Sequence, residues 1–374
     1  MSVQLKGMTW RHPRGYDPMV ATSKLWREKT GVAISWEQRS LQDFESFPVE
    51  TLAREYDLIV IDHPHVGQIT AESCLAPLDV PGRESERAAL LAGSVGHSYE
   101  SYGWDDRQWA FPIDAAAQVQ VYRPDRIAPV TRWSEVLEQA RAGSVVLPLL
   151  APHSLMCFFT LCANLGRPAA TGPERFADPE TGTEVIEMLR EIAALADPMS
   201  FAADPIAASE AMARADSSLT LMPLGYGYIS YAQAGFRPHR LGFADIPAAG
   251  SSGPVGSALG GTGIAVSAYS QNREAAIDYA YWVASGPVQA GLYAASGGQP
   301  GHAEGWDDDA VNAATGNFYR ATRRTLDGAY MRPRHDGYMG FQDAASRRLT
   351  DGLAARDSAG AILADLETLY RRKS

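Results

Sequence analysis

The run Asp57-Leu-Ile-Val-Ile-Asp62 most constrains the fold of this chain. Four consecutive apolar residues, two of them isoleucine and one valine, read as a strand buried on both faces, the pattern of a parallel sheet covered by helices. The strand stops at His63-Pro64-His65, so its carboxyl end opens into a polar loop. The same rhythm recurs along the chain. Leu5 to Trp10 is a predicted strand that runs into Arg11-His12-Pro13-Arg14-Gly15-Tyr16, and a helix follows. In that helix Asp17 is the expected N-cap, Pro18 fits the first turn and Gly31 is the stop. Further strands are expected at Val32–Trp36, Val145–Leu149, Leu219–Met222 and Ile264–Ser267. Pro112 makes Trp109–Asp114 an extended crossing segment, after which Gln118–Arg123 resumes as an alternating strand.

Helices are expected at Trp133–Arg141 (capped by Thr131), at Glu184–Leu195, after Ser267 with Ala276, Ile277, Ala280 and Tyr281 on one face, and at the carboxyl end behind Ser358. Alternating strands and helices in a chain of 374 residues imply an open α/β architecture with more than one core. In such sheets, ligands bind beyond the carboxyl ends of the strands, which directs attention to the loops.

Composition narrows the function. A formal net charge of −11 opposes a general affinity for nucleic acid, which rests on clustered Lys and Arg. The most apolar stretch, Leu155–Leu165, is shorter than the roughly 20 residues a membrane span requires, and reads as a buried helix. Three cysteines (Cys74, Cys157 and Cys162) do not make a disulfide scaffold. The first residues go directly into a strand without a charged and then apolar leader. The chain as written is therefore expected in the cytoplasm, or in the periplasm or at the cell surface if a leader was removed or the start is misplaced.

Four stretches, taken together and in order, resemble the sugar-type (family 1) extracellular solute-binding proteins of bacterial ABC transporters. They are Tyr56–Asp62 with Leu75-Ala-Pro-Leu-Asp79; Tyr102-Gly103 and Gln108–Asp114, ending in Val121-Tyr-Arg-Pro-Asp125; Thr131-Arg-Trp-Ser-Glu-Val-Leu137; and Gly263–Ser267 with Ala275-Ala276-Ile277, Val288-Gln289 and Gly297-Gly-Gln-Pro300. The resemblance implies a two-lobed type II periplasmic-binding-protein fold. Each lobe would be a mixed sheet flanked by helices, with a ligand cleft between the lobes. It places one lobe at 1–112 and 262–310 and the other at 113–261 and 311–374, with hinge crossings near 112–116, 258–262 and 310. It also implies a small-molecule ligand, an ABC permease as partner, a monomer, no cofactor and no resident metal.

Carried over position by position, the resemblance assigns Trp10, His12, Arg14 and Tyr16 to the cleft from the first strand's loop, and Asp62, His63 and His65 from the loop after Asp57–Asp62. It adds Asp114, His153, Tyr226, Tyr228 and Thr262, and from the late segment Arg332, Arg334, His335 and Tyr338. Aromatic faces suit carbohydrate C–H groups. Arginine forks suit carboxylate or phosphate, so an anionic solute gripped by Arg14, Arg332 or Arg334 is expected beside a carbohydrate-like one, against the plainer reading of these arginines as internal ion pairs. Asp62-His63-x-His65 also carries metal-ligand types, but Pro64 kinks the loop and no closed site follows from it. The alternative to a solute receptor is a cytoplasmic enzyme that reuses this fold. There His63 or His65, oriented by Asp62, would be the base, Asp114 or His153 the acid, and Arg14 the anchor for an acidic substrate.

Overall fold

The computed structural model describes residues 3–39 and 48–371. Its chain divides into two compact units. Unit 1 comprises residues 1–116, 260–313 and 334–336; unit 2 comprises 117–259, 314–333 and 337–374.

Unit 1 is built on β1 (Gln4–Trp10), β2 (Ala33–Arg39), β3 (Leu58–Ile61) and β4 (Leu75–Ala76). To these it adds the small hairpin β5 (Gly103–Trp104) and β6 (Arg107–Gln108), and the first part of β7 (Ala110–Tyr122). β1 pairs in parallel with β2 and with β3, and the helix Pro13–Thr30 makes the crossover from β1 to β2. All four residues of β3 are at most 2% exposed, as their unbroken apolar run requires. At roughly 1.5–3 kcal/mol for each large aliphatic side chain, this one strand contributes on the order of 6–12 kcal/mol of burial. Gly7 of β1 admits a close neighbour: a Cβ there would stand 2.6 Å from the Trp36 indole, which lies across it. The indole N–H donates to Ser23 Oγ at 2.7 Å and ties the helix to the sheet.

The helix Pro13–Thr30 starts earlier than the sequence predicts. Its N-cap is His12, whose Nδ1 accepts the Arg14 N–H at 3.1 Å, and Pro13 takes the first turn. Pro18 lies inside the helix, while Gly31 ends it in the left-handed conformation with φ 78°. Strand β10 (Leu259–Ser267), which begins one residue before unit 1 resumes, runs antiparallel to β3 with Ile264 opposite Val60.

In unit 2 the second part of β7 pairs antiparallel with β8 (Leu221–Tyr226) and β9 (Gly242–Ala244). The expected crossing segment and alternating strand are thus one continuous strand, Ala110–Tyr122, buried along all but its last residue. The predicted strand Val145–Leu149 is instead an extended segment joined to β8 only by a bridge between Val145 and Leu221; Pro148 has no N–H to extend a ladder. The helix His153–Asn164 carries the apolar run, with Cys157 and Cys162 fully buried, and burial pushes the Cys157 thiol up to about 12. Phe158, Phe159, Phe176, Phe341 and Tyr370 stack into this unit's core. Thr160 Oγ1 donates to Gln118 Oε1 and accepts from the Ala258 N–H, fixing the helix to the sheet through buried polar groups. Among the described residues, no helix is long and apolar enough to cross a membrane.

Candidate functional site

Unit 1 brings the ends of β1 and β3 and the middle of β7 together, and the groups there are charged and buried. Arg14, in the first turn of the helix after β1, directs its fork at Asp114 of β7. Nε donates to Oδ2 at 2.7 Å and Nη2 donates to Oδ1, with 5% and 0% of the two side chains exposed. Burial pushes the Asp114 carboxyl up, the Arg14 guanidinium opposes this by its charge and its two hydrogen bonds, and Asp62 adds to the upward push. The bidentate partner that the sequence sought in an anionic solute is therefore supplied by the chain.

Asp62 ends β3 and caps the short 3-10 turn His63–His65, accepting the His63 N–H at 2.8 Å. His63 Nδ1 lies 3.3 Å from Asp62 Oδ1, and the imidazole meets the Tyr102 ring edge-on at 6.3 Å. Tyr102 in turn donates weakly to the carbonyls of Ile61 and Gly261, at 3.3 and 3.4 Å, wedging β3 and β10 at the same end. His63 is fully buried and His65 nearly so. Trp10 is 3% exposed, its indole held against Gly15, where a Cβ would come within 2.3 Å of the ring. Tyr16 is half-buried against the core of the unit. Thr262 of β10 is buried, and its Oγ1 has no hydrogen-bond partner among the described residues. Arg334 also belongs here. Its Nη1 donates to the carbonyls of Glu100, Ser101 and Gly103 at 2.8, 3.1 and 2.7 Å, and burial lowers its pKa. His335 is half-buried, its Nδ1 2.9 Å from the Asp336 carbonyl oxygen.

Unit 2 gathers a second set. His153 opens the helix His153–Asn164 and is 4% exposed, with Nδ1 lacking a partner among the described residues. Its ring meets that of Tyr226, the last residue of β8, at 6.2 Å. Burial pulls the imidazole down to about 4; Asp204 opposes this and Arg332 reinforces it. Arg332 is buried and donates through Nε to the Leu259 carbonyl at 3.2 Å and through Nη1 to Gln342 Oε1 at 3.0 Å. Tyr338, four residues before Gln342 on the same helix, is fully buried in the core, and Tyr228 is 6% exposed. Among the described residues, no three His, Cys, Asp or Glu side chains cluster as a metal would need.

With this geometry the chain can be compared with known proteins. The profile of the bacterial extracellular solute-binding proteins matches residues 26–318. The chain belongs to that family. No curated protein sequence matches it. Among solved structures it is similar to the maltose-bound MalE3 of T. maritima, at 14% identity and a TM-score of 0.84, covering 99% of each chain. It is similar to the solute-binding protein of Agrobacterium radiobacter K84 in complex with ribitol, at 19% identity and a TM-score of 0.81, covering 99% of this chain and 98% of that one. It is also similar to that of Agrobacterium vitis S4 with bound D-mannitol, at 15% identity and a TM-score of 0.77, covering 99% and 97%. At these identities the likeness is one of fold, and the fold is the two-lobed α/β type expected from the sequence.

Set against the solute-binding family, the residues singled out from the sequence fall into two groups. Arg14, Asp62, His63, Asp114 and Thr262 sit around the strand ends of unit 1, and buried His153 and Arg332 lie in unit 2, where half-buried Tyr226 meets the His153 ring. Sequence reasoning missed Tyr102 and Gln342 as positioning groups. Tyr102 lay inside a stretch already singled out, whereas Gln342 carried only its i, i+4 spacing from Tyr338.

Proposed function

We propose that the protein is the solute-capturing component of an ABC-type importer, working outside the cytoplasmic membrane, and that its solute is an uncharged carbohydrate or polyol. Family membership supports the first part. The observation that carries the second is the internal commitment of the cations. Arg14 is paired with Asp114, Arg332 with a carbonyl and Gln342, and Arg334 with three carbonyls. An anionic solute would have to draw these groups from partners they already hold, whereas hydroxyls need single donors and acceptors. Thr262 Oγ1 in unit 1 and His153 Nδ1 in unit 2 are buried polar atoms without a partner among the described residues, and each is suited to one hydroxyl. The similar structures carry maltose, ribitol and D-mannitol, all uncharged and polyhydroxylated.

The test is a thermal-shift and calorimetric screen of maltose, ribitol, D-mannitol, gluconate and galacturonate, with mass spectrometry of the recovered solute. An uncharged compound at about 100 times its Kd adds about 2.7 kcal/mol of stability and is recovered unaltered. Binding confined to the two acids would reinstate the anionic solute, and a converted product would reinstate the enzyme.

A further inference from the structure

Thr262 stands between two glycines, Gly261 and Gly263, in the part of β10 that belongs to unit 1. Glycine has the widest backbone freedom of any residue, so the chain on either side of Thr262 does not by itself hold that side chain in place. Neighbouring groups hold it instead, from two sides. On one side Gly261, at φ 92°, lies against β7: a Cβ there would press on the Asp114 carbonyl oxygen and stand 3.0 Å from Ala115 Cα. That stretch of β7 is itself fixed. Gln299, 1% exposed, donates through Nε2 to the Ala115 carbonyl at 2.8 Å, and its own backbone carbonyl accepts the Ala115 N–H at 3.2 Å. The Asp114 carboxylate takes the Arg14 fork. On the other side Gly263, opposite Ile61 in the pairing of β10 with β3, lies against the Tyr102 ring, where a Cβ would come within 2.8 Å of Cζ. Tyr102 is 2% exposed, and its hydroxyl donates weakly to the Gly261 carbonyl at 3.4 Å, so one side chain holds both glycines. Between these jaws Thr262 is 7% exposed, and its Oγ1 is buried with no partner among the described residues. A buried hydroxyl left unpaired costs stability, which makes an immobilised one a fitting place for a ligand atom.

We propose that this clamp makes Thr262 the stereochemical selector of unit 1: Oγ1 gives or accepts one hydrogen bond at a fixed point, and the solute taken is the one with a hydroxyl there. The proposal rests on the uncharged, polyhydroxylated solute above and goes beyond it by assigning the choice between epimers to one atom. An epimer that turns the hydroxyl away leaves Oγ1 unpaired, which weakens binding by about 5- to 150-fold. A Thr262 free to swing on its two glycines would follow either epimer and lose that choice.

The test is a calorimetric Kd for each member of three sets of stereoisomers: ribitol, D-arabinitol and xylitol; D-mannitol, D-glucitol and galactitol; maltose and cellobiose. Wild type is expected to prefer one member of a set by about ten-fold or more. Thr262→Val keeps the shape and removes the hydroxyl, so the preference should fall to within about three-fold. The solute-free variant should melt no lower than wild type, because it loses no hydrogen bond to the described residues. Tyr102→Leu opens one jaw and should flatten the preference too, while Tyr102→Phe, which keeps a ring on Gly263, should restore it. A merely structural Tyr102 would weaken every stereoisomer by the same factor and leave the preference unchanged, which overturns the clamp. Should Tyr102→Leu fail to fold, Thr262→Val decides alone. A preference that survives Thr262→Val, or a lowered melting midpoint in that variant, overturns the selector. So does a wild type that binds all members of a set equally, and each of these results leaves the solute reading standing. A wild type that binds none of the compounds removes the uncharged solute, and the selector with it.

Discussion

Removing Asp114 should expose how much of unit 1 depends on one buried pair. Arg14 and Asp114 are separated by 100 positions in sequence, and their side chains are 5% and 0% exposed. Asp114→Leu would strand a guanidinium whose Nε and Nη2 both point at the vacated carboxylate. Losing one partner of a buried, hydrogen-bonded ion pair typically costs about 3–5 kcal/mol. Two hydrogen bonds to charged groups at about 1.5–3 kcal/mol each lead to the same range. With roughly 2–4 °C of midpoint per kcal/mol for a unit of this size, Asp114→Leu should melt about 6–20 °C below wild type. Adding Arg14→Met removes the stranded charge, and the double variant should recover to within about 2 kcal/mol of wild type, because apolar isosteres of a buried pair are often neutral. Urea unfolding followed by tryptophan fluorescence measures all four corners of this cycle. A loss below about 1 kcal/mol for Asp114→Leu, or a double variant that costs the sum of the two singles, would refute the claim that the pair is coupled and buried.

The pH dependence should carry the signature of His153. Its folded pKa of about 4 lies below an unfolded value of about 6.5, so the unfolded chain binds the extra proton, and stability present above pH 6.5 is lost as pH falls toward 4, by about 3 kcal/mol in all. His153→Leu should flatten that part of the stability–pH curve, and equal slopes in the variant and wild type would show that another group carries it. Gly67→Ala should lower the unfolding free energy measured in urea by at least about 1 kcal/mol, and the midpoint with it, because a Cβ there would stand 2.0 Å from the Arg334 carbonyl oxygen, a backbone atom with little room to yield. An unchanged midpoint would mean that residues 334–336 are not seated on unit 1.

Where the sequence carried a local physical signal, the fold could be read from it. The apolar run after Asp57 became β3, Gly31 terminated the first helix, and Leu155–Leu165 lies largely in a helix buried at every position but Ala163. Errors arose where two local signals competed. Both Pro13 and Pro18 suit a first helical turn, and Asp17 is the commoner cap. The structure uses His12 instead, because its imidazole Nδ1 reaches the Arg14 N–H. Pro112 read as an interruption of a strand, yet the ladder continues through it to Tyr122. Val145–Leu149 has strand composition, but Pro148 and a single bridging partner leave it extended without a ladder.

The candidate site was legible as a set of positions and much less so as chemistry. An arginine in a sequence shows its charge but not its partner. The partners here lie 100 positions from Arg14, 10 and 73 from Arg332, and more than 230 from Arg334. Only the fold reveals that these cations are already satisfied, and this alters what the site can recognise. A free guanidinium in a low-dielectric pocket holds an anion by charge, whereas one locked to a buried carboxylate contributes little net field and instead fixes the orientation of its neighbours. On the proposed reading, recognition falls to single polar atoms in set positions, such as Thr262 Oγ1 and His153 Nδ1, which are buried and without a partner among the described residues. Such atoms discriminate by geometry: a hydroxyl placed correctly satisfies them, and one displaced leaves a buried polar group unpaired at about 1–3 kcal/mol. On that reading the same arginine-bearing segments that suggested an acidic solute would suit an uncharged one, because Arg14, Arg332 and Arg334 are held by partners within the chain.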